Sequence, residues 1–205
     1  MTELGVARNS VERLDDKIKN IMCVGSLCGY EVGVVSKSFQ DAGVYVVEAV
    51  PETYKTFLSE SRPCCPQKAR TFCEVMSDTV APATLYISHN NPCHSILPQV
   101  YGWESTRVVE TSTIESLSGR CGIMPDFLMI DVEGATARVL RGAGEEILRH
   151  VTVVMAETEI TKQVLFLDGD SDEEVDALLS TYGMNRVSKV MDPAKRQFNS
   201  VWVRK

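Results

Sequence analysis

The feature of this sequence that most constrains its fold is an alternation between short apolar runs and segments of helical pattern. Phe127–Ile130 is apolar at every position, which is typical of a central strand covered on both faces. The alternation predicts an α/β fold with a mostly parallel, doubly wound sheet. The predicted strands are Ile21–Val24, Val44–Val47, Thr71–Met76, Leu85–Ser88, Phe127–Ile130, Val151–Ala156 and Ser200–Arg204.

Helical patterns separate these runs, and the length of 205 residues suits one domain. We expect a single domain over 1–205, with an N-terminal helix in 1–20 and the α/β core in 21–205. The segment 77–126 has the least regular pattern, and we expect it to carry loops that face a substrate. The other predicted helices are Tyr30–Gln40, Glu52–Ser59, Gly134–His150 and Glu173–Thr181.

Charge and apolar content exclude several classes of function. The net charge is −7, which gives no basic surface for nucleic acid. No apolar run approaches the ~20 residues that span a membrane. The first twenty residues contain no apolar block of a secretory signal, so we expect a cytoplasmic protein. Six acids crowd positions 168–176, where Ser171 and Glu174 form a capping box that predicts a solvated helix start rather than a cation site.

Seven cysteines raise the question of zinc. Cys64 and Cys65 are adjacent, and Cys93 precedes His94, but neither of these pairs has the two-to-four-residue spacing that is usual in structural zinc sites. An odd number of cysteines indicates free thiols in a reducing compartment. The sequence therefore favours free thiols over a metal centre.

A glycine turn follows the first predicted strand. Gly25 and Gly29 flank this loop, and Glu48 ends the next strand nineteen residues after Gly29. An acid at about that distance, ~20 residues, accepts hydrogen bonds from ribose hydroxyls in doubly wound folds. Leu27 occupies the position of the middle glycine of a dinucleotide motif, which favours adenosine without pyrophosphate over a nicotinamide cofactor. Two glycines also occur in turns that bind nothing.

A second signal follows Phe127–Ile130. Asp131 comes directly after the buried run, Glu133 lies two positions on, and Gly134 opens the next helical pattern. Carboxylates at a strand end can hold a cofactor, orient a substrate or accept a proton. The alternative is that Asp131 or Glu133 caps the following helix.

This part of the chain resembles the signature of the FkbM family of S-adenosylmethionine-dependent methyltransferases. The resemblance rests on Asp-Val-Glu-Gly at Asp131–Gly134 and on Val-Leu-Arg-Gly-Ala at Val139–Ala143. It covers about residues 21–204, with weaker similarity at Val46–Pro51, Met76–Asp78, Tyr182–Met184 and Ser200–Val203.

The resemblance implies a three-layer, Rossmann-like class I methyltransferase fold, whose seven-stranded, mostly parallel sheet has an antiparallel last strand. It implies S-adenosylmethionine as the cofactor and a small molecule with a hydroxyl as the methyl acceptor, because members of the family methylate hydroxyl oxygens of natural products or sugars. The implied cofactor-binding residues are Gly25, Ser26, Gly29, Glu48, Ser77, Asp78 and Asp131.

The chain departs from the family at the first motif, which usually reads Asp-x-Gly-Ala-Asn-x-Gly. Cys23 replaces the acid and Leu27 replaces the asparagine. These polar groups help to hold the methionine moiety, so their loss predicts weaker cofactor binding. The alternative function is a methyltransferase-like binding module without turnover.

Methyl transfer to a hydroxyl benefits from a general base. The candidate catalytic residues are Glu133, His94 and Asp131, and for His94 the alternative is a structural role. Asp131 and Glu157 each come directly after a buried apolar run, and together they can bind a hard cation. No third oxygen ligand for such a cation is evident from the sequence.

Tyr101 and Trp103 lie in the irregular segment 77–126. They either line an apolar acceptor pocket or pack in the core. The residues leave open whether the chain forms a homodimer.

Overall fold

The structure is a computed structural model that describes residues 17–25, 30–60, 69–88, 93–162, 165–192 and 197–204. Strands and helices alternate through most of the chain, as the sequence predicts. In chain order the elements are β1 (Asn20–Val24), α1 (Tyr30–Ser38), β2 (Gly43–Glu48), α2 (Pro51–Glu60), β3 (Arg70–Cys73), β4 (Val75–Met76), β5 (Pro82–Ile87), β6 (Ser105–Ser112), α3 (Ile114–Cys121), β7 (Phe127–Ile130), α4 (Thr136–Arg141), α5 (Gly144–His150), β8 (Val153–Glu159), α6 (Asp172–Thr181), β9 (Met184–Asp192) and β10 (Gln197–Arg204).

Seven strands form the main sheet in the order β3-β2-β1-β7-β8-β10-β9. The first five run parallel, and β10 is antiparallel to both of its neighbours. The strand order reverses between β1 and β7, and ligands bind doubly wound sheets at the carboxyl edge of such a point. The predicted Rossmann-like sheet with an antiparallel last strand is confirmed.

Two apolar cores cover the two faces of the main sheet, so the molecule has three layers. Leu128 and Ile130 of β7 belong to the core under α3, α4, α5 and α6. Phe127 and Met129 belong to the opposite core, which α1 covers. The continuous apolar run of β7 is explained by this burial on both faces.

A second, three-stranded sheet has the order β4-β6-β5. The sequence predicts one strand over Thr71–Met76, but β3 and β4 lie on either side of Glu74 and belong to different sheets. Segment 77–126 is correspondingly richer in regular structure than predicted, since it contains β5, β6 and α3. The pattern of β6 is hard to recognise because apolar residues of this strand lie on the surface, and Val108 is 82% exposed.

The sequence predicts a single helix over Gly134–His150, and this prediction is wrong because the segment forms two helices, α4 and α5. Gly142 ends α4 where its backbone packs on another segment, and a Cβ there would lie 2.0 Å from the carbonyl oxygen of Ser77. Gly144 then adopts a φ of +75°, a left-handed conformation that interrupts the helix.

The predicted N-terminal helix in 1–20 falls mostly outside the described residues, and its last residue, Asn20, belongs to β1. Among the described residues, no helix combines the length and the apolar character that crossing a membrane requires.

Candidate active site

Three acids and a glycine lie side by side at the carboxyl ends of four parallel strands. The register of β2, β1, β7 and β8 aligns the last apolar residue of each strand, so the next position is level in all four. These positions hold Glu48, Gly25, Asp131 and Glu157. We call the acids at this level, together with Glu133, the carboxylate edge.

Gly25 allows β1 and β7 to approach closely at this edge. Its φ is +75°, and a Cβ would lie 1.6 Å from the carbonyl oxygen of Asp131. The Asp131 N–H donates to the carbonyl of Val24 at 2.8 Å. The space of the missing side chain is thus taken by the protein backbone itself.

The loop Asp131–Gly134 is held in a defined conformation. Glu133 has a φ of +52°, in the left-handed region that side chains rarely adopt, and Gly134 follows at +85°. The hydroxyl of Ser95 donates to the Glu133 carbonyl at 2.6 Å. The Asp170 N–H donates to the Gly134 carbonyl at 2.7 Å. These two hydrogen bonds fix two consecutive carbonyls on the C-terminal side of the Glu133 side chain.

Asp170 supplies the cap of α4. The carboxylate of Asp170 accepts a hydrogen bond from the Arg138 N–H at 2.9 Å, whereas Ala135 at the N-cap position makes no side-chain hydrogen bond. Burial raises the pKa of the Asp170 carboxyl, and the hydrogen bond from Arg138 opposes that rise. The cap on the Arg138 N–H is therefore supplied from outside the loop Asp131–Gly134.

Carboxylate oxygens of Asp131, Glu133 and Glu157 lie within 4.8 Å of one another. Asp131 is exposed, Glu133 is half-buried and Glu157 is buried. The amide of Gln197 donates to Oε2 of Glu133 at 3.5 Å. In the part of the chain that the structure describes, no other three His, Cys, Asp or Glu side chains come close enough to share an ion. Glu133 supplies the third oxygen that the sequence did not reveal for a cation between Asp131 and Glu157.

Glu48 lies at the other side of this edge, at the end of β2. Its side chain is buried, and Oε1 accepts a hydrogen bond from the Val50 N–H at 3.1 Å. Cys73 of β3 is its register partner. Burial raises the pKa of the Cys73 thiol, and the charge of Glu48 adds to the rise. The sequence prediction of an acid at this strand end is confirmed in position.

Ser77 and Asp78 follow β4, four and five residues after Cys73. Ser77 is buried, and its N–H donates to the carbonyl of Ser112 at 2.9 Å. Its hydroxyl donates to Oδ1 of the exposed Asp78 at 3.1 Å. The pair therefore presents a fixed backbone and one carboxylate at the surface.

His94 is engaged at both ring nitrogens. Nδ1 accepts a hydrogen bond from the Ser88 N–H at 3.4 Å, and Nε2 lies 3.4 Å from Oγ1 of Thr53. In this arrangement the neutral ring carries its proton on Nε2 and its lone pair faces Ser88. The geometry favours the structural role of His94 over the role of general base.

The acidic run after position 168 has a different environment. Oδ2 of Asp172 lies 2.7 Å from both Nη1 of Arg186 and Nζ of Lys189. Arg186 also contacts Asp176 at 2.8 Å. We call these four residues the ion-pair network. Burial alone would raise the pKa of Asp172, but hydrogen bonds from Lys189, Arg186 and Thr158 lower it below its ordinary value.

Ser171 caps α6 as predicted, whereas the Glu174 carboxylate pairs with Arg141 and Lys162. The hydroxyl of Ser171 accepts a hydrogen bond from the Glu174 N–H at 3.3 Å. The predicted helix start is therefore present, but Asp172 in its first turn is buried rather than solvated.

Solved structures similar to this fold are methyltransferases or related Rossmann proteins. An O-methyltransferase from Bacillus cereus, solved in complex with SAH, has a TM-score of 0.53 and 11% identity, and the match covers 100% of this chain and 82% of that one. A Klebsiella pneumoniae protein assigned by inference as an O-methyltransferase has a TM-score of 0.55 and 13% identity. That match covers 100% of this chain and 81% of the Klebsiella chain. A Streptococcus agalactiae protein of the NADB-Rossmann superfamily has a TM-score of 0.52 and 12% identity. That match covers 95% of this chain and 67% of the Streptococcus chain. At these identities the likeness supports the fold alone.

Sequence comparison decides the family. The profile of the methyltransferase FkbM domain matches residues 24–185, which is most of the chain. The chain belongs to the FkbM methyltransferase family. Among curated proteins, no sequence matches it. The resemblance to this family is therefore confirmed, and methyl transfer is the reaction class of the family.

The first motif of the FkbM family corresponds to residues 23–29 of this chain, and the structure describes only part of it. Two of the predicted cofactor-binding residues, Ser26 and Gly29, lie outside the described residues, as does Leu27. Cys23, which replaces the acid of the family motif, is fully buried in the core that α1 covers. This substitution therefore places a thiol, which packs as a small apolar group, where the family usually has a charge.

Proposed function

We propose that this FkbM methyltransferase transfers a methyl group from S-adenosylmethionine to a hydroxyl oxygen of a small molecule. The observation that carries the proposal is the level arrangement of the carboxylate edge across β2, β1, β7 and β8. Glu48 supplies an acid on one side of the switch point, and Asp131 with Glu133 supplies acids on the other. One ligand that spans the switch point contacts both sides.

The residues present fit an adenosyl ligand. Glu48 is buried and already directed by the Val50 N–H, so little conformational entropy is lost when its carboxylate accepts ribose hydroxyls. Ser77 and Asp78 follow β4 close to this end of the sheet and would border the adenine. Asp131 would face the methionine moiety, whose ammonium is complementary to the acids beside it.

S-adenosylmethionine supplies a methyl carbon bonded to a sulfonium. The acceptor oxygen forms a bond to that carbon while the carbon–sulfur bond breaks, and its electron pair stays on sulfur, giving S-adenosylhomocysteine. The chain must hold the acceptor in line, an alignment that can contribute ~7–11 kcal/mol. It must also take the hydroxyl proton, which contributes about 10²–10⁴-fold in rate.

Glu133 is the residue that suits the role of base. Hydrogen bonds from Ser95 and Asp170 fix the carbonyls of Glu133 and Gly134, and the Glu133 side chain is half-buried beside Asp131 and Glu157. His94 is less suited, because its Nδ1 already accepts a hydrogen bond from Ser88.

Calorimetric titration with S-adenosylhomocysteine tests the proposal. Wild type should bind, and Glu48→Gln should bind about 10- to 100-fold more weakly, because a charged acceptor of ribose hydrogen bonds contributes ~1.5–3 kcal/mol. Glu31→Gln, on the exposed face of α1, is the matched control and should bind like wild type. Absence of binding to wild type, or equal affinity in Glu48→Gln, would contradict the proposal.

A methyltransferase-like binding module is the second candidate function. The buried Cys23 in place of an acid favours it, because that acid helps to hold the cofactor in the family. In this case S-adenosylhomocysteine binds weakly and no methyl transfer follows. Restoring the family motif with Cys23→Asp and Leu27→Asn should then strengthen binding.

A further inference from the structure

Exposed apolar side chains cluster beside the carboxylate edge. Eight large hydrophobic side chains are exposed in the described part of the chain, and four of them lie on two neighbouring segments. Tyr101 is 79% exposed, Trp103 and Leu167 are each 43% exposed and Val100 is 42% exposed. We call these four residues the apolar rim. Since Tyr101 and Trp103 are on the surface, the alternative that they pack in the core is wrong.

The apolar rim has a defined backbone. Gln99 and Phe166 form an antiparallel bridge, in which the Val100 N–H donates to the carbonyl of Leu165 and the Leu167 N–H donates to the carbonyl of Pro98, both at 2.8 Å. This pairing brings Val100 and Leu167 onto adjacent segments, on the same side of the bridge.

The aromatic part of the rim is also fixed. Trp103 packs edge-on against Tyr86, with ring centroids 4.6 Å apart. Tyr86 in turn pairs with Ser95 through two backbone hydrogen bonds of 2.8 and 3.1 Å. The indole therefore has a fixed position although almost half of it remains exposed.

Two contacts join the apolar rim to the carboxylate edge. Phe166, next to Leu167, is buried against Gly134, where a Cβ would lie 2.7 Å from its ring. Ser95, which pairs with Tyr86, donates its hydroxyl to the Glu133 carbonyl. Both segments of the rim are thus anchored to the loop that carries the candidate base.

The two surfaces together define the chemistry of the acceptor. Apolar area of this kind gains free energy when a ring or alkyl group covers it, and clustered exposed apolar residues mark binding sites. Three carboxylates within 4.8 Å repel an anion. When the hydroxyl of a small acceptor contacts Glu133, the remaining atoms of that acceptor lie over the neighbouring apolar rim.

We infer that the methyl acceptor is an uncharged or cationic hydroxyl compound with an apolar ring, and that this ring binds on Tyr101 and Trp103. The inference rests on the proposed function, because the hydroxyl is the group to be methylated. It goes beyond that function by assigning the acceptor's charge and the residues that select it.

Matched pairs of small probes test both properties. We would titrate 4-methylphenol, tyramine and 4-hydroxybenzoate, which share a phenol and differ in charge, into protein saturated with S-adenosylhomocysteine, with ligand-observed NMR as the readout. Cyclohexanol and myo-inositol form a second pair, which shares a six-membered ring and differs in polarity. The neutral and cationic phenols and cyclohexanol should bind at least about tenfold more tightly than the anion and the polyol, a difference of ~1.4 kcal/mol.

Variants locate the binding surface. Trp103→Ala and Tyr101→Ala should each weaken binding of 4-methylphenol about tenfold and leave S-adenosylhomocysteine affinity unchanged. Tyr101 is so exposed that its replacement leaves the fold intact. Met191→Ala and Val187→Ala, which remove exposed apolar side chains on the edge strand β9, are the matched controls and should bind like wild type.

Each other outcome overturns the inference. Tighter binding of 4-hydroxybenzoate or myo-inositol, absence of binding by every apolar probe, or equal effects of Trp103→Ala and Met191→Ala would do so. A concentration-dependent increase in mass by light scattering that Trp103→Ala abolishes would assign the rim to contact between copies of the chain. If S-adenosylhomocysteine itself does not bind, the proposed function fails first, and the two failures are distinguishable.

Discussion

Two groups of acids in this molecule have opposite surroundings. In the ion-pair network, the buried Asp172 lies 2.7 Å from the cationic nitrogens of Arg186 and Lys189. At the carboxylate edge, oxygens of Asp131, Glu133 and Glu157 lie within 4.8 Å of one another. Opposite charges in contact stabilise the fold, whereas like charges brought together oppose it, and native proteins tolerate such arrangements mainly at functional sites.

The difference shows which property of an acidic residue indicates its role. The run from 168 to 176 has the highest density of acids in the sequence, and its buried members cap α4 or pair with bases. The acids of the carboxylate edge are scattered in the sequence and meet because parallel strands end at one edge. Position relative to strand ends, rather than acid density, predicts the site.

Replacing the candidate base should give the largest effect. Glu133→Gln keeps the size of the side chain and removes the proton acceptor, so kcat for methyl transfer should fall about 10²–10⁴-fold. Transfer of a labelled methyl group to the best-binding probe, with thermal unfolding measured in parallel, checks this. Glu173→Gln, an exposed acid on α6, is the control and should retain activity. Retention of full activity in Glu133→Gln would exclude it as the base.

Replacing the central acid of the ion-pair network should instead lower stability. Asp172→Asn removes a charge that accepts hydrogen bonds from Arg186 and Lys189, and each such charged hydrogen bond contributes ~1.5–3 kcal/mol. We expect the free energy of unfolding in urea to fall by about 3 kcal/mol, with unchanged affinity for S-adenosylhomocysteine. Asp176→Asn, at a more exposed site, should cost less. An equal or larger loss in Asp176→Asn would contradict this assignment.

The Asp172 carboxyl should also make the free energy of unfolding depend on pH in the acid range. The pKa of Asp172 is lower in the folded than in the unfolded chain, so its contribution is present above the unfolded pKa of about 3.9 and is lost as pH falls through the folded pKa. Unfolding free energies measured from neutral pH downward should therefore fall more steeply at acid pH in wild type than in Asp172→Asn. Parallel curves would show that the carboxyl contributes nothing to acid stability.

We expect the smallest loss of stability when Asp170, which belongs to neither group of acids, is replaced. Asp170→Ala removes the cap of α4 and should lower the free energy of unfolding by about 1 kcal/mol. Asp170→Asn retains an oxygen that can accept the Arg138 N–H and should lose less. Urea unfolding of the two variants checks the order, and a greater loss in Asp170→Asn would argue against capping.

The sequence predicts the parallel strands well because their side chains are buried on both faces. Phe127–Ile130 matches β7 at both ends, and Glu48 ends β2 as expected. It predicts β6 poorly, because the exposed Val108 removes the alternation on which such predictions depend. The break between α4 and α5 is also hidden, since it depends on the packing of Gly142 against the distant Ser77.

The site is predictable to the extent that it depends on strand ends. Asp131, Glu133 and Glu48 follow from position and from the family resemblance. The capping role of Asp170 and the contact between Ser95 and Glu133 join residues 32 and 38 positions apart, and no local pattern announces them. The hydrogen bonds of His94 could not be predicted from its sequence neighbours either.

One thermal-shift experiment tests the division between the two groups of acids most directly. Unfolding of wild type, Glu48→Gln and Asp172→Asn is followed without ligand and with S-adenosylhomocysteine at ~100 times the wild-type Kd. Ligand should stabilise wild type by about 2.7 kcal/mol, which raises Tm by roughly 5–10 °C. Glu48→Gln should keep the wild-type Tm without ligand and lose about half of the shift or more, whereas Asp172→Asn should start lower and keep the full shift. A full shift in Glu48→Gln, or loss of the shift in Asp172→Asn, would contradict the account.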